Sequence, residues 1–346
     1  MRGFVVIGNR AAKTEMDRVG LYRSFGKLPS DVQGSVPLQK ADAGHVFKLH
    51  LVTGLDGARQ NGRKAKLVLE QSPRVRHRTG REQIYAMVDF TATYVTANLA
   101  PNASAYDSAR FLSFRDELDK SLLSSSPGYT MGILSAILCA QRRADGVLFL
   151  FRDATRDRTD ADTARIFLTV RECITLVTPY VGMPACMPAI TGLVGEMRQR
   201  GIKTTPADLQ RPNFQEFDWG ALGDDMRETL YGGVGNQEGL AMISEYWPEF
   251  STYAYTAVFG YLYGSRLLST AECELVVFSS ILGQGATRQA RIHCKVALKL
   301  GNTAEVLQQV VTIAADIANW NNTPLPAIVD VSQCSVELRE SLAGRV

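Results

Sequence analysis

The chain has no CxxC pair, and its six cysteines (Cys139, Cys173, Cys186, Cys273, Cys294 and Cys334) lie far apart along 346 residues. A disulfide scaffold or a thiolate zinc site needs clustered spacing, so these are expected to be reduced, mostly buried thiols of an intracellular compartment. Histidine is scarcer still: His45, His50, His77 and His293 are all there are, leaving one imidazole in the last 269 residues. That rules against a histidine-rich metal site, and no metal or cofactor is expected. Long apolar runs are missing too. The longest, such as 146–151 (GVLFLF) and 275–278, fall far short of the roughly 20 residues that cross a bilayer, so no membrane-spanning segment is expected.

What is present is 45% hydrophobic and 21% charged, the composition of a globular chain with enough apolar residues for a sizeable core. The net charge of +3 is unevenly spread. Arg59, Arg63, Lys64, Lys66, Arg74, Arg76, Arg78 and Arg81 are opposed only by Glu70, so the window 59–81 carries +7 and the rest of the chain −4. Such a strip can dock on an acidic protein surface or track RNA phosphates; the alternative is a solvated, extended loop. It lacks the interleaved aromatics of a single-strand binder. The first 30 residues set Arg2, Arg10, Lys13, Arg18, Arg23 and Lys27 against Glu15 and Asp17. This basic bias resembles an uncleaved mitochondrial address, with the cytoplasm as the alternative.

Residues 1–110 read as an irregular, basic N-terminal extension, with strand-like patches at 4–7 and 46–52 and a helix over 83–97. From about residue 113 the apolar period becomes helical. Helices are expected over 131–142, 160–176 and 186–200, the last closed by Gly201. A proline-bearing, polar linker follows over 203–223. Ser269 with Glu272 forms a capping box for a helix over 270–282. Further helices follow over 286–300, closed by Gly301, and over 304–320, capped by Thr303. Residues 321–346 form a tail with no assigned structure.

The stretch 267–310, LLSTAECELVVFSSILGQGATRQARIHCKVALKLGNTAEVLQQV, resembles the carboxymuconolactone decarboxylase and alkylhydroperoxidase-D-like (AhpD-like) family. Members carry a pattern close to LSxxERELV, a short loop, QLRxHVxxALNxG and a TxEEIxEVLLQ helix. Upstream, 224–233 (DDMRETLYGG) and 245–266 (EYWPEFSTYAYTAVFGYLYGSR) resemble the family's leading helices. Residues 162–201 are similar to its closing section, with 179–184 (PYVGMP) as the turn before the last helix. The resemblance implies an all-α fold of two diverged tandem copies, 111–202 and 224–320, the first degenerate. Each copy keeps what the other has lost: the first the turn, the second the glutamate and histidine positions.

In active relatives a glutamate and a histidine spaced like Glu274 and His293 form a proton relay at a pocket between helices. A carboxylate can orient an imidazole for general acid–base work. The peroxidase branch places a CxxC between them, at positions held here by Ala286 and Gln289, which removes thiol peroxidase chemistry. A decarboxylase would need only Glu274 and His293, with Arg288 or Arg291 to hold a substrate carboxylate. The alternative is that Glu274 is an exposed residue near a helix start and His293 a hydrogen-bonded interface histidine. Residues 232–239 (GGVGNQEG) neither follow a strand nor open a βαβ unit, and read as a turn rather than a phosphate loop.

The leading expectation is a non-catalytic accessory subunit of a large, mitochondrial assembly, a respiratory complex or mitoribosome, docked through the basic strip onto other protein subunits. A working cofactor-free decarboxylase or isomerase of a small carboxylated lactone or keto acid is the second reading, and an RNA-associated protein the third. The resemblance also implies self-association, since family members assemble through helical hairpins.

Overall fold

The computed structural model describes residues 36–38, 47–52, 66–71, 90–122, 126–204, 210–212, 214–235 and 237–344. The chain divides into two compact units, Met1–Met87 and Val88–Val346.

In the first unit, β1 (Val36–Leu38), β2 (Phe47–Val52) and β3 (Lys66–Gln71) form a small antiparallel sheet in that order. Val36 pairs with Leu49, and Val52 with Lys66. The patch expected at 46–52 is therefore β2. The patch at 4–7 lies outside the described residues, and so does the basic strip 59–81 apart from the backbone of β3.

The second unit is all-α. It runs through α1 (Phe90–Tyr94), α2 (Ser108–Ser121), α3 (Tyr129–Ala140), α4 (Ala144–Ala154), α5 (Asp160–Val181) and α6 (Met183–Gln199). A 3₁₀ turn at Phe214–Glu216 leads to α7 (Trp219–Tyr231), α8 (Gln237–Tyr246), α9 (Pro248–Tyr253) and a π-helix, Ala254–Leu262. Then come α10 (Thr270–Gly283), α11 (Thr287–Lys299), α12 (Ala304–Trp320) and α13 (Val331–Ala343).

Helices α3 and α10 form the centre. Residues 129–139 of α3 and 273–283 of α10 are all buried, the pattern of helices covered on every side. They run parallel. The Tyr129 hydroxyl donates to the Glu272 carbonyl at 2.8 Å near their starts, and Gln141 Nε2 to the Gly283 carbonyl at 2.6 Å at their ends. Around this pair the order helix, turn, helix, loop, helix recurs, as α3–α4–α5 and as α10–α11–α12. One continuous apolar core joins both halves.

Local chemistry sets the boundaries. Ser269 and Glu272 form the expected capping box, and Thr303 accepts from the Val306 amide. Gly301, at φ +99°, ends α11 in a left-handed conformation that a side chain would strain. The tail is partly helical. Asp330 caps α13, whose Val331, Cys334 and Leu338 are buried.

The expected linker 203–223 contains a buried cation. Arg211 pairs with Glu172 of α5 through both of its terminal nitrogens (Nη1 at 2.9 Å) and donates to the Tyr261 and Leu262 carbonyls at 2.6 and 2.7 Å. A buried ion pair holds only when its remaining donors are also satisfied, and here the π-helix carbonyls do that. Residues at the end of the expected extension also join the helical unit. Ser104 Oγ donates to the Trp320 carbonyl at 2.6 Å, and Arg143 lies 4.1 Å over the Trp320 ring.

Two glycines let α7 and the π-helix touch backbone to backbone. A Cβ at Gly223 would land on the Tyr255 carbonyl, and one at Gly260 on the Trp219 carbonyl. This crossing sets the depth at which Tyr231, at the end of α7, and Tyr263, just past the π-helix, enter the core.

Candidate functional site

Glu274 sits one turn into α10 and is 0% exposed. This corrects the exposed helix-start alternative: α10 is buried on all sides, so no face offers the carboxylate to water. Two donors satisfy it instead. His293 Nδ1, on α11, lies 2.7 Å from Oε1, and the Tyr263 hydroxyl donates to Oε2 at 2.6 Å. Carboxylate hydrogen bonds of this kind are short and stronger than neutral ones. The hairpin between α10 and α11 brings together residues 19 apart in sequence.

With Nδ1–H directed at Glu274, His293 presents Nε2 as an acceptor on its other side. There the Tyr231 hydroxyl stands at 3.5 Å. This is at the long limit for a hydrogen bond. His293 is 7% exposed, and two tyrosines flank its ring edge to face, Tyr231 at 6.0 Å and Tyr180 at 6.1 Å between centroids.

Beyond these two tyrosines lies a cavity of about 190 Å³. Tyr180 and Tyr231 form its inner wall, the π-helix residues Tyr255, Val258 and Phe259 one side, and Ile243 and Phe250 of α8 and α9 an outer rim. A π-helix is uncommon and often marks a functional site, because the wider turn displaces side chains from the α register. The outer rim continues into exposed apolar surface, with Tyr246 80% and Trp247 63% exposed.

Burial, reinforced by the Glu274 charge, holds the phenols of Tyr180 and Tyr263 protonated well above the usual tyrosine range. Tyr231 is raised by burial first and then by Tyr180 and Glu274. The Tyr180 hydroxyl is buried without a well-formed hydrogen bond, and the Tyr263 hydroxyl beside it is already committed to Glu274.

The other sequence candidates fall elsewhere. Arg291 forms an ion pair with Glu337 of α13, and Arg288 is exposed in the first turn of α11; neither is among the residues that line the cavity. The strip residues Arg59, Arg63, Lys64, Arg74, Arg76, Arg78 and Arg81 lie outside the described residues, and of Lys66 only the backbone is placed. All six cysteines are buried and unbridged. Cys294 and Cys273, the neighbours of His293 and Glu274, are each 0% exposed. Among the described residues no group of three or more His, Cys, Asp or Glu side chains is placed to hold a metal ion, and no helix is long and apolar enough to cross a membrane.

The three tyrosines were missed in the sequence, although each sits at a helix end beside a glycine: Tyr231-Gly232, Tyr263-Gly264 and Tyr180-Val181-Gly182. An aromatic residue at a glycine-terminated helix end is the signal that could have found them. Tyr180 belongs to the PYVGMP turn of the first half, so that turn and the Glu274–His293 pair of the second half meet in one site. No protein-family model and no curated protein matches this chain.

Proposed function

We propose that the chain is a cofactor-free acid–base catalyst that moves a proton at carbon beside a carbonyl group, as in an isomerisation or a decarboxylation. The observation that carries this reading is the line Tyr263–Glu274–His293, tightly hydrogen-bonded and continued by the 3.5 Å contact of His293 with Tyr231, which runs from the core to the cavity wall. Burying a carboxylate costs several kcal/mol before its partners compensate, so a fully buried Glu274 is an expensive way to fill space.

In this reading Glu274 accepts from Nδ1–H and fixes the orientation of the imidazole. His293 takes or returns a proton at Nε2, and Tyr231 passes it between the ring and the substrate. When the imidazole is charged, Nε2–H donates to the Tyr231 oxygen while Tyr231 donates to the substrate, delivering a proton to an enolate. Run in reverse, the line accepts one. The resemblance of 267–310 to the carboxymuconolactone decarboxylase family supports the same class of chemistry. The test is turnover across a panel of small carbonyl compounds. His293→Ala should abolish it while the circular dichroism stays native, and activity that survives His293→Ala contradicts the mechanism.

A second reading, an accessory subunit of a larger, mitochondrial assembly, is favoured by the exposed apolar surface of α8 and α9 and by the basic bias of the first 30 residues. Stoichiometric recovery of the tagged chain with other subunits would support it, and recovery of the chain alone would count against it.

A further inference from the structure

Residues 241–250 (AMISEYWPEF) span the end of α8 and the start of α9, and every one of them is exposed. Helix α8 has only ten residues, and a helix that short has little stability in water unless an apolar face is covered. Leu240 packs on the core, and Ser251 Oγ donates to Ser244 Oγ at 3.2 Å, tying α9 back to α8. The two helices make an arm whose large apolar side chains stay open to water. Met242, Ile243, Tyr246, Trp247, Phe250 and Tyr253 are 38–80% exposed. At about 150–250 Å² for a large side chain, they leave about 600 Å² of apolar surface. That is the upper end of the largest patch on an ordinary monomer, and most of the roughly 800 Å² that each partner buries in a stable interface.

The charge on the arm narrows what can cover it. Residues 228–265 contain Glu228, Glu238, Glu245 and Glu249 and no lysine or arginine. A surface built for anionic lipid or nucleic acid carries the opposite sign. The contact is therefore an apolar one with protein, and an apolar face needs no counter-charge to complement itself. A twofold pair, the commonest assembly of identical chains, lays a patch on the same patch of its copy.

We infer that α8 and α9 form the interface of a homodimer, in which the arm of a second copy packs on this arm about a twofold axis. Trp247, at the turn between the two helices, is the anchor on each side. Ile243, Phe250 and Tyr253 both line the cavity and remain exposed, so the second arm also covers the open side of the cavity. The accessory-subunit reading needs this same face, and a second copy satisfies it without another protein. The dimer does not depend on the relay and is tested apart from it.

Sedimentation velocity of the full chain, from about 1 to 100 μM, should show a particle of twice the 38.0 kDa of one chain. Trp247→Glu, at an exposed position, should weaken the dimer at least about 30-fold while the circular dichroism stays native. Val194→Glu, on the exposed apolar part of α6, should leave the dimer intact. Because the arms carry acidic charge alone, association should strengthen several-fold as added salt screens the facing glutamates. A chain that stays monomeric throughout, including one that a different protein captures as a monomer, would overturn the inference. So would a dimer that survives Trp247→Glu, one that Val194→Glu dissolves, or one that salt weakens.

Discussion

Tyr180, the penultimate residue of α5, meets the His293 ring of α11 edge to face, 6.1 Å between centroids and 87° between planes. One residue comes from each half of the helical unit, 113 positions apart in sequence. The site is therefore a product of the packing of both halves, and neither could supply it alone. Helix α5 packs against both α3 and α10, and its end reaches the imidazole on α11 through Tyr180.

Glu274→Gln keeps the volume but leaves one acceptor oxygen for two donors, and turns an amide N–H₂ toward either His293 or Tyr263. Urea unfolding should show a loss of about 1–3 kcal/mol, the usual cost of a buried donor left unmade. The same variant should lose proton-transfer activity, because the imidazolium no longer faces a charge.

The buried phenols make the fold sensitive to alkali. Tyr129, Tyr180, Tyr231 and Tyr263 all have their ionisation raised, with burial the first cause in each. A group whose folded pKa lies above its unfolded value of about 10 contributes stability that is intact below that pH and lost as pH rises past it. Unfolding midpoints should hold to about pH 10 and fall steeply above it. In Tyr263→Phe the fall should be shallower, and spectrophotometric titration should count fewer phenols ionising only on unfolding.

Gly223→Ala and Gly260→Ala should each destabilise by about 1–3 kcal/mol or more, since the added methyl meets backbone carbonyl rather than a side chain that can swing away. Thermal melts would show it. Gly201→Ala is the control: its φ of +72° strains any side chain, but no atom lies within 4 Å of the new Cβ. It should cost less.

The six thiols should be inert in the native chain. Burial raises Cys173 and Cys273, and a hydrogen bond to a partner thiol, then burial, raises Cys139 and Cys294. The same bonds lower their partners, Cys186 and Cys334, yet these too have no exposed surface. A thiol reagent should label the folded chain only as fast as it opens, and all six cysteines once it is denatured.

Much of this was legible wherever the information is local. The Ser269–Glu272 capping box, Thr303 and Gly301 set helix limits that the structure reproduces to within about two residues. The spacing of Glu274 and His293 pointed to a pair because a hairpin of two helices brings such positions together. What was not legible depends on tertiary partners. Val331, Cys334 and Leu338 form a short apolar stripe behind an Asp330 cap, too brief to separate from a loop until α11 and α12 cover it. Arg211 looked like linker charge because Glu172 and the π-helix carbonyls lie 39 or more residues away. The tyrosines escaped because their phenols converge from three helix ends: the glycine near each marks the helix end, but not the carboxylate or imidazole that its side chain meets.

The most direct test of the relay is deuterium wash-in from heavy water at the carbon beside the carbonyl, followed by NMR for a panel of neutral cyclic and aryl ketones. The wild-type chain should incorporate deuterium into at least one compound above the buffer rate. His293→Ala should fall by about 100-fold or more, and Tyr231→Phe should also fall while remaining folded. Incorporation no faster than buffer across the panel, or equal in wild type and His293→Ala, would contradict the relay.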